Sequence, residues 1–271
     1  MNLYSDLHNY LLKFCSEEAL KALVLVNKEF SSLSVSEVKE RAYKKLSISS
    51  QRLTEFPIYY PKGHLFEGEK IDYTKIEYLN CSYNQLTSLP EGPTGLENCE
   101  MLDCRFNQLT SLPEGPLGLE NCEILDCSRN RLTSLPGGPN GLRNCEHLYC
   151  SDNQLTSLPD CLGNCRKLFC SRNELTSLPD CLGKCKILYC HNNQLTSLPD
   201  CLENCEELYC FNNQLTSLPD CLRQCKILYC SRNQLTSLPN CLGNCKDLNC
   251  DNNQLTSLPD CLENCGVIWF D

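Results

Sequence analysis

The chain has 271 residues, 34 acidic against 24 basic side chains, and a net charge of −10. That balance argues against general nucleic-acid binding and against docking on anionic membranes. The longest purely apolar run, Ala22 to Val26, is far too short to cross a bilayer. The opening MNLYSDLHNY has no basic segment leading into an apolar core, so no secretory signal is expected.

Residues 1–45 do not repeat, and their spacing predicts three short helices. Ser5 or Asp6 can cap the first, which carries Leu7, Leu11, Leu12 and Phe14. Ser16 can cap the second, with Leu20 and Leu23 on its inner face. Ser34 and Glu37 form a capping-box pair that opens a third helix to about Lys45. The bland reading of such a domain is a cap that shields the first coil of the adjoining array.

The stretch LHNYLLKFCSEEALKALVLVNKEFSSLS also resembles an F-box. Leu11, Leu12 and Phe14 match its first apolar helix, and Leu20 and Leu23 its second. Val26, Asn27, Lys28 and Phe30 match its Val-x-Lys/Arg-x-Trp/Phe segment. The family's opening Leu-Pro is absent, since Asp6-Leu7-His8 stands there. The resemblance implies docking of Leu11, Leu12, Phe14, Leu20, Leu23 and Phe30 on a Skp-type adaptor of a cullin–RING ubiquitin ligase.

Leu46, Ile48, Leu53, Phe56 and Pro57 read as a degenerate first coil. Residues 58–78 include an irregular excursion, with Tyr59, Tyr60 and Phe66 expected to pack beneath it. From Leu79 the chain repeats nine times over residues 79–271, first at 23 and then at 20 residues per unit. Such a period means stacked units, each too small to bury its own apolar face. The frame is L-x-C-x-x-N-x-L-x-x-L-P. Period two in L-x-C predicts a short strand with Leu168 and Cys170 inward. Asn173 follows where backbone turns and needs partners, and Pro179 stops any regular continuation.

These units resemble the short leucine-rich repeat, with cysteines at two of its usual leucine positions. The resemblance implies an α/β solenoid, a right-handed superhelix with a concave parallel β-sheet, bearing here a small N-terminal α-helical domain. An F-box-like segment joined to near-identical short repeats is similar to proteins of large DNA viruses of protists or of their hosts.

Cysteine is the compositional outlier at 25, with 24 of them in three repeat columns. The odd count and a sizeable core favour free thiols in a reducing, intracellular compartment over a disulfide framework. Cys161 and Cys165 stand four apart, a spacing that recurs. The four histidines do not repeat with the cysteines, so no metal or other cofactor is expected. No phosphate loop, zinc-protease motif or nucleophile elbow is present, and the chain does not read as an enzyme.

The informative positions vary while the frame holds. Tyr149, Phe169, Tyr189, Tyr209 and Tyr229 occupy the outward position between the strand's two core residues. Phe211 lies on the same face, and Arg129, Arg172 and Arg232 flank it. Exposed aromatics with arginines are typical of interface cores, so this concave face is expected to bind a protein partner. At the other end, Ile268 and Phe270 fall where Leu and Cys sit in the strand. An eleventh strand with Ile268, Trp269 and Phe270 exposed predicts tail-to-tail homodimerisation.

Overall fold

The computed structural model describes residues 44–60, 68–91, 95–114, 118–138 and 141–271. The expected helices of residues 1–43, with Leu11, Leu12, Phe14, Leu20, Leu23 and Phe30, lie outside the described residues, as does Phe66.

Eleven three-residue strands form one parallel sheet in sequence order. They are β1 (Lys45–Ser47), β2 (Tyr78–Asn80), β3 (Met101–Asp103), β4 (Ile124–Asp126), β5 (His147–Tyr149) and β6 (Lys167–Phe169). The array continues through β7 (Ile187–Tyr189), β8 (Glu207–Tyr209), β9 (Ile227–Tyr229), β10 (Asp247–Asn249) and β11 (Val267–Trp269). Register never slips: Leu46 pairs with Leu79, Leu168 with Leu188, and Leu248 with Ile268. A one-residue slip would turn every leucine outward, so burial enforces the register.

The helical component of the expected fold class is not supported. Among the described residues there is no α-helix, and Lys45, expected near the end of a helix, opens β1. The repeat length gives the reason. Between Pro179 and the next strand approach only six residues remain, Asp180 to Cys185. They close a single i,i+3 turn, with the Cys185 amide donating to the Leu182 carbonyl at 2.9 Å. Too few residues remain to nucleate a helix. The array is therefore a parallel β-solenoid.

The core is a set of stacked columns. Leu168, Cys170, Leu175, Leu182 and Cys165 are fully buried, and their counterparts repeat coil after coil. Backbone ladders tie neighbouring coils on three sides. Cys170 N donates to Tyr189 O at 2.8 Å, Gln194 N to Leu175 O at 2.9 Å, and Lys186 N to Arg166 O at 2.8 Å.

The asparagine column closes the remaining gap. Asn173 Nδ2 donates to Cys170 O and, in the preceding coil, to Cys150 O, while its Oδ1 accepts from Leu155 N at 3.0 Å. Buried backbone groups with no sheet partner are thereby satisfied. A second asparagine ladder, not anticipated from the sequence, runs on the return side. Asn164 Nδ2 donates to Arg143 O and Asn204 Nδ2 to Gly183 O.

The excursion after the first coil is partly ordered by an antiparallel bridge between Tyr59 and Lys70. Tyr60 is buried, as expected. Tyr59 is not: it is 57% exposed, beside exposed Ile58. The alternation of an extended segment sends one tyrosine in and its neighbour out.

Candidate protein-binding face

In β2 to β10 the residue that follows the buried strand leucine is half-buried and faces outward, and from β5 to β9 that residue is aromatic. Parallel in-register pairing sets Tyr149 beside Phe169, Phe169 beside Tyr189, Tyr189 beside Tyr209, and Tyr209 beside Tyr229. Strand spacing of about 4.8 Å nearly matches ring-stacking distance. The centroids lie 4.9, 4.4, 4.1 and 5.0 Å apart in that order. The ring planes are tilted by 31°, 39°, 46° and 60° in the same order, so the five rings form one unbroken row of tilted contacts.

The row has polar tips. Tyr209 is hydrogen-bonded with Tyr189, and Tyr229 donates its hydroxyl to Asp247 Oδ2 at 3.0 Å. Burial and the bond with Tyr189 push the Tyr209 phenol up, and the bond to Asp247 does the same for Tyr229. Both stay neutral donors at ordinary pH.

A second column lies beside the stripe. His191 and Phe211 stack at 4.2 Å and 7° between planes. The Asn192 amide donates to His191 Nδ1 at 2.6 Å, leaving the proton of the neutral ring on Nε2. Burial, then the Arg172 charge, pushes the His191 pKa down, so the ring is neutral near pH 7.

The flanking arginines stand on unusual backbone. Tyr83, Phe106, Arg129, Asp152, Arg172, Asn192, Asn212, Arg232 and Asn252 all have φ between 54° and 56°. L-residues seldom adopt this left-handed region, and here one does so in every coil. The fixed frame turns at this point, and the conformation aims these side chains along a common ridge. Arg129 Nε lies 3.8 Å from Asp152 Oδ2, and Arg172 Nη1 3.8 Å from Asp152 Oδ1. Asn212 Nδ2 donates to Asn192 Oδ1 at 2.6 Å.

The repeat frame puts Tyr83 and Phe106 in this column too; the sequence places them among its outward aromatics but outside the candidate binding set. They stack at 4.3 Å, with Arg105 over Tyr83 and Arg129 over Phe106. Two adjacent aromatics in one repeat column were the available signal. The structure thus brings together the stripe, Phe211, Arg129 and Arg172. Arg232 belongs to the same ridge three coils beyond Arg172.

The predicted self-association residues are elsewhere, on β11. Val267, Ile268, Trp269 and Phe270 are 46%, 37%, 57% and 40% exposed. The cysteines form the expected columns and are free among the described residues. Opening-column thiols donate to the carbonyl two residues on, as in Cys165 Sγ to Lys167 O at 3.2 Å. Among the described residues no group of three or more His, Cys, Asp or Glu is arranged to hold a metal.

A family model described as Leucine Rich Repeat matches residues 75–96 and 144–165. Comparison with the curated proteins gives no match. Among solved structures the chain is similar to YopM from Yersinia enterocolitica WA-314, with 28% identity and a TM-score of 0.64. That alignment covers 84% of this chain and 50% of that one. It is also similar to the functional domain of InlJ from Listeria monocytogenes, which includes a cysteine ladder. There the identity is 24% and the TM-score 0.61, over 86% of this chain and 54% of that one. A chain in the octameric complex of Latrophilin 3, Unc5D and FLRT2 (LRR) aligns at 20% identity and TM-score 0.62. It covers 84% of this chain and 83% of the other. This chain thus spans about half the length of the YopM and InlJ chains. In fold, the array is similar to leucine-rich repeat solenoids.

Proposed function

We propose that this chain is a protein-binding module that captures its partner on the concave face. The observation that carries the reading is the continuous five-ring row from Tyr149 to Tyr229, bordered by Phe211 and by the Arg129, Arg172 and Arg232 ridge. Tyr and Arg dominate binding hot spots because they combine large contact area with directional polar groups. A similar fold serves a multi-protein assembly in the Latrophilin 3, Unc5D and FLRT2 complex. The test is to replace Tyr189 and Tyr209 by Ala, check that the Tm is unchanged, and measure capture of the partner identified with the wild-type chain. A loss of about tenfold or more per ring is expected. Unchanged capture moves the search to another face.

The F-box-like match of Leu11, Leu12, Phe14, Leu20, Leu23 and Phe30 supports a finer reading, in which the module recruits substrates to a cullin–RING ligase. The wild-type chain should then retain a Skp-type adaptor, and Leu11→Asp with Leu12→Asp should release it while the repeats stay folded. If no adaptor is retained where a control F-box retains one, the chain acts as a stand-alone binding protein. A reducing intracellular compartment suits its ladder of free thiols.

For the C-terminal strand we infer apolar self-association through Ile268, Trp269 and Phe270. Light scattering at high concentration should show dimers that Trp269→Lys abolishes. A wild-type monomer would defeat this inference.

A further inference from the structure

The residue two positions before each buried strand leucine lies where the chain enters the concave sheet, so these residues form one lateral edge. In the first full repeats this position holds Glu77, Glu100, Glu123 and Glu146, in register on neighbouring coils. Like charges spaced about 5 Å apart repel one another. Basic partners reach only the ends of this acidic run: Lys44 Nζ lies 2.6 Å from Glu77 and Arg166 Nε 3.4 Å from Glu146, while Glu100 is hydrogen-bonded with Tyr78. Among the described residues no ion pair reaches Glu100 or Glu123.

The same edge then reverses sign. Arg166, Lys186, Lys226 and Lys246 continue it, interrupted only by Glu206. That single acid is held between two neighbours, with Lys186 Nζ at 3.5 Å and Lys226 Nζ at 2.5 Å. Lys186, Lys226 and Lys246 are exposed, as is Glu123. From Glu77 to Lys246 the edge therefore carries an acidic stretch and a basic stretch that meet between Glu146 and Arg166, with Lys44 at the β1 end.

We propose that this edge docks on the same edge of a second copy, antiparallel, about a twofold axis near the junction of Glu146 and Arg166. Rotation by 180° lays each acidic stretch against the other copy's basic stretch, which is the self-complementarity an isologous dimer requires. Glu146 then meets Arg166 of the second copy, Glu123 meets Lys186, and Glu77 meets Lys226. Glu100 faces Glu206, whose charge the two lysines already offset, and at the β1 end Lys44 is set against Lys246. In the adjoining column the half-buried Ile124 meets Ile187, a single apolar contact flanked by His147 against Lys167 and Met101 against Glu207. The docking leaves the aromatic stripe open and does not depend on what the stripe binds.

Sedimentation equilibrium tests the proposal, with the Trp269→Lys chain as reference so that the tail contact is silent. Dimers should form at about 50 mM salt and weaken about tenfold or more at about 500 mM, because the pairs are solvent-exposed. In a homodimer, Glu77→Lys with Glu123→Lys sets new lysines against Lys226 and Lys186, and Lys186→Glu with Lys226→Glu sets new glutamates against Glu123 and Glu77. Each variant alone should be monomeric. An equimolar mixture should dimerise again, since the exchanged positions then face opposite charges. A monomeric reference at low salt, a dimer indifferent to salt, or a mixture that fails to recover would each overturn it. Circular dichroism checks that the variants fold. If one does not, the salt response of the reference decides alone.

Discussion

The guanidinium carbon of Arg129 sits 4.8 Å from the centroid of the Phe106 ring, whose own neighbour Tyr83 stacks at 4.3 Å and 15°. Three successive coils thus join their ridge side chains into one stack. A cation–π contact of this exposure contributes roughly 0.5–1 kcal/mol and an aromatic pair about as much. Phe106→Ala should lower stability by about 1–2 kcal/mol. A double-mutant cycle with Arg129→Met, read by urea denaturation, should show a coupling of about 0.5–1 kcal/mol. Strict additivity would mean that the two side chains are merely adjacent.

The left-handed ridge makes a second prediction. Arg232 holds φ 54°, which Gly adopts freely and a β-branched residue resists. Arg232→Gly should leave stability unchanged or raise it by up to about 1 kcal/mol, whereas Arg232→Val should lower it by about 1–2 kcal/mol. Denaturant midpoints of the two variants decide. Equal losses would mean that the backbone relaxes there without strain.

The asparagine column should behave differently from its neighbours. Asn173→Ala leaves the buried Leu155 N without its acceptor, while Cys150 O and Cys170 O each keep one asparagine donor, Asn153 and Asn193. Leaving buried backbone groups unpaired costs about 1–3 kcal/mol each before relaxation or water entry. With one buried N–H orphaned and two carbonyls weakened, a loss of about 2 kcal/mol or more is expected at Asn173. At half-buried Asn164, which loses a bond to Arg143 O and one from Lys184 Nζ, both open to solvent, about 1 kcal/mol is expected. Comparable effects at the two sites would remove the distinction.

The thiols predict a pH response. Burial pushes Cys99, Cys145, Cys185 and Cys225 from an ordinary 9.0 up to about 12. The folded state therefore holds these protons over a range where the unfolded chain releases them. Stability from this source is full below pH 9 and declines as pH rises from about 9 toward 12. The Tm should be flat near neutrality and fall steeply above pH 9. At pH 7.5 the half-buried column, Cys161 to Cys261, should alkylate first together with the half-buried Cys265, and the buried thiols of the strand and opening columns only on unfolding. Trapped, denatured protein should yield close to 25 free thiols. Intact disulfides in fresh protein would contradict this.

Much of the fold is legible in the sequence alone, because a fixed period repeats the same choice many times. Period two places Leu168 and Cys170 inward and Phe169 between them outward. The need to satisfy a turning backbone assigns Asn173 to a ladder. The β11 position of Ile268 follows from alignment with Leu248. Each of these depends on local geometry alone, which the chain carries residue by residue.

Other features depend on how one coil approaches the next. The stripe becomes a continuous row only because parallel pairing without slippage brings rings to 4.1–5.0 Å. The left-handed φ at Arg129 and Arg172 accompanies a turn whose side chains look ordinary in sequence. Return segments that resemble helix fragments close one tight turn instead, since each repeat is too short for more. The split between Glu77–Glu146 and Arg166–Lys246 is written in the sequence yet has no meaning there. It becomes an edge only when stacking sets residues 20 or 23 apart side by side, a distance relation that belongs to the tertiary structure.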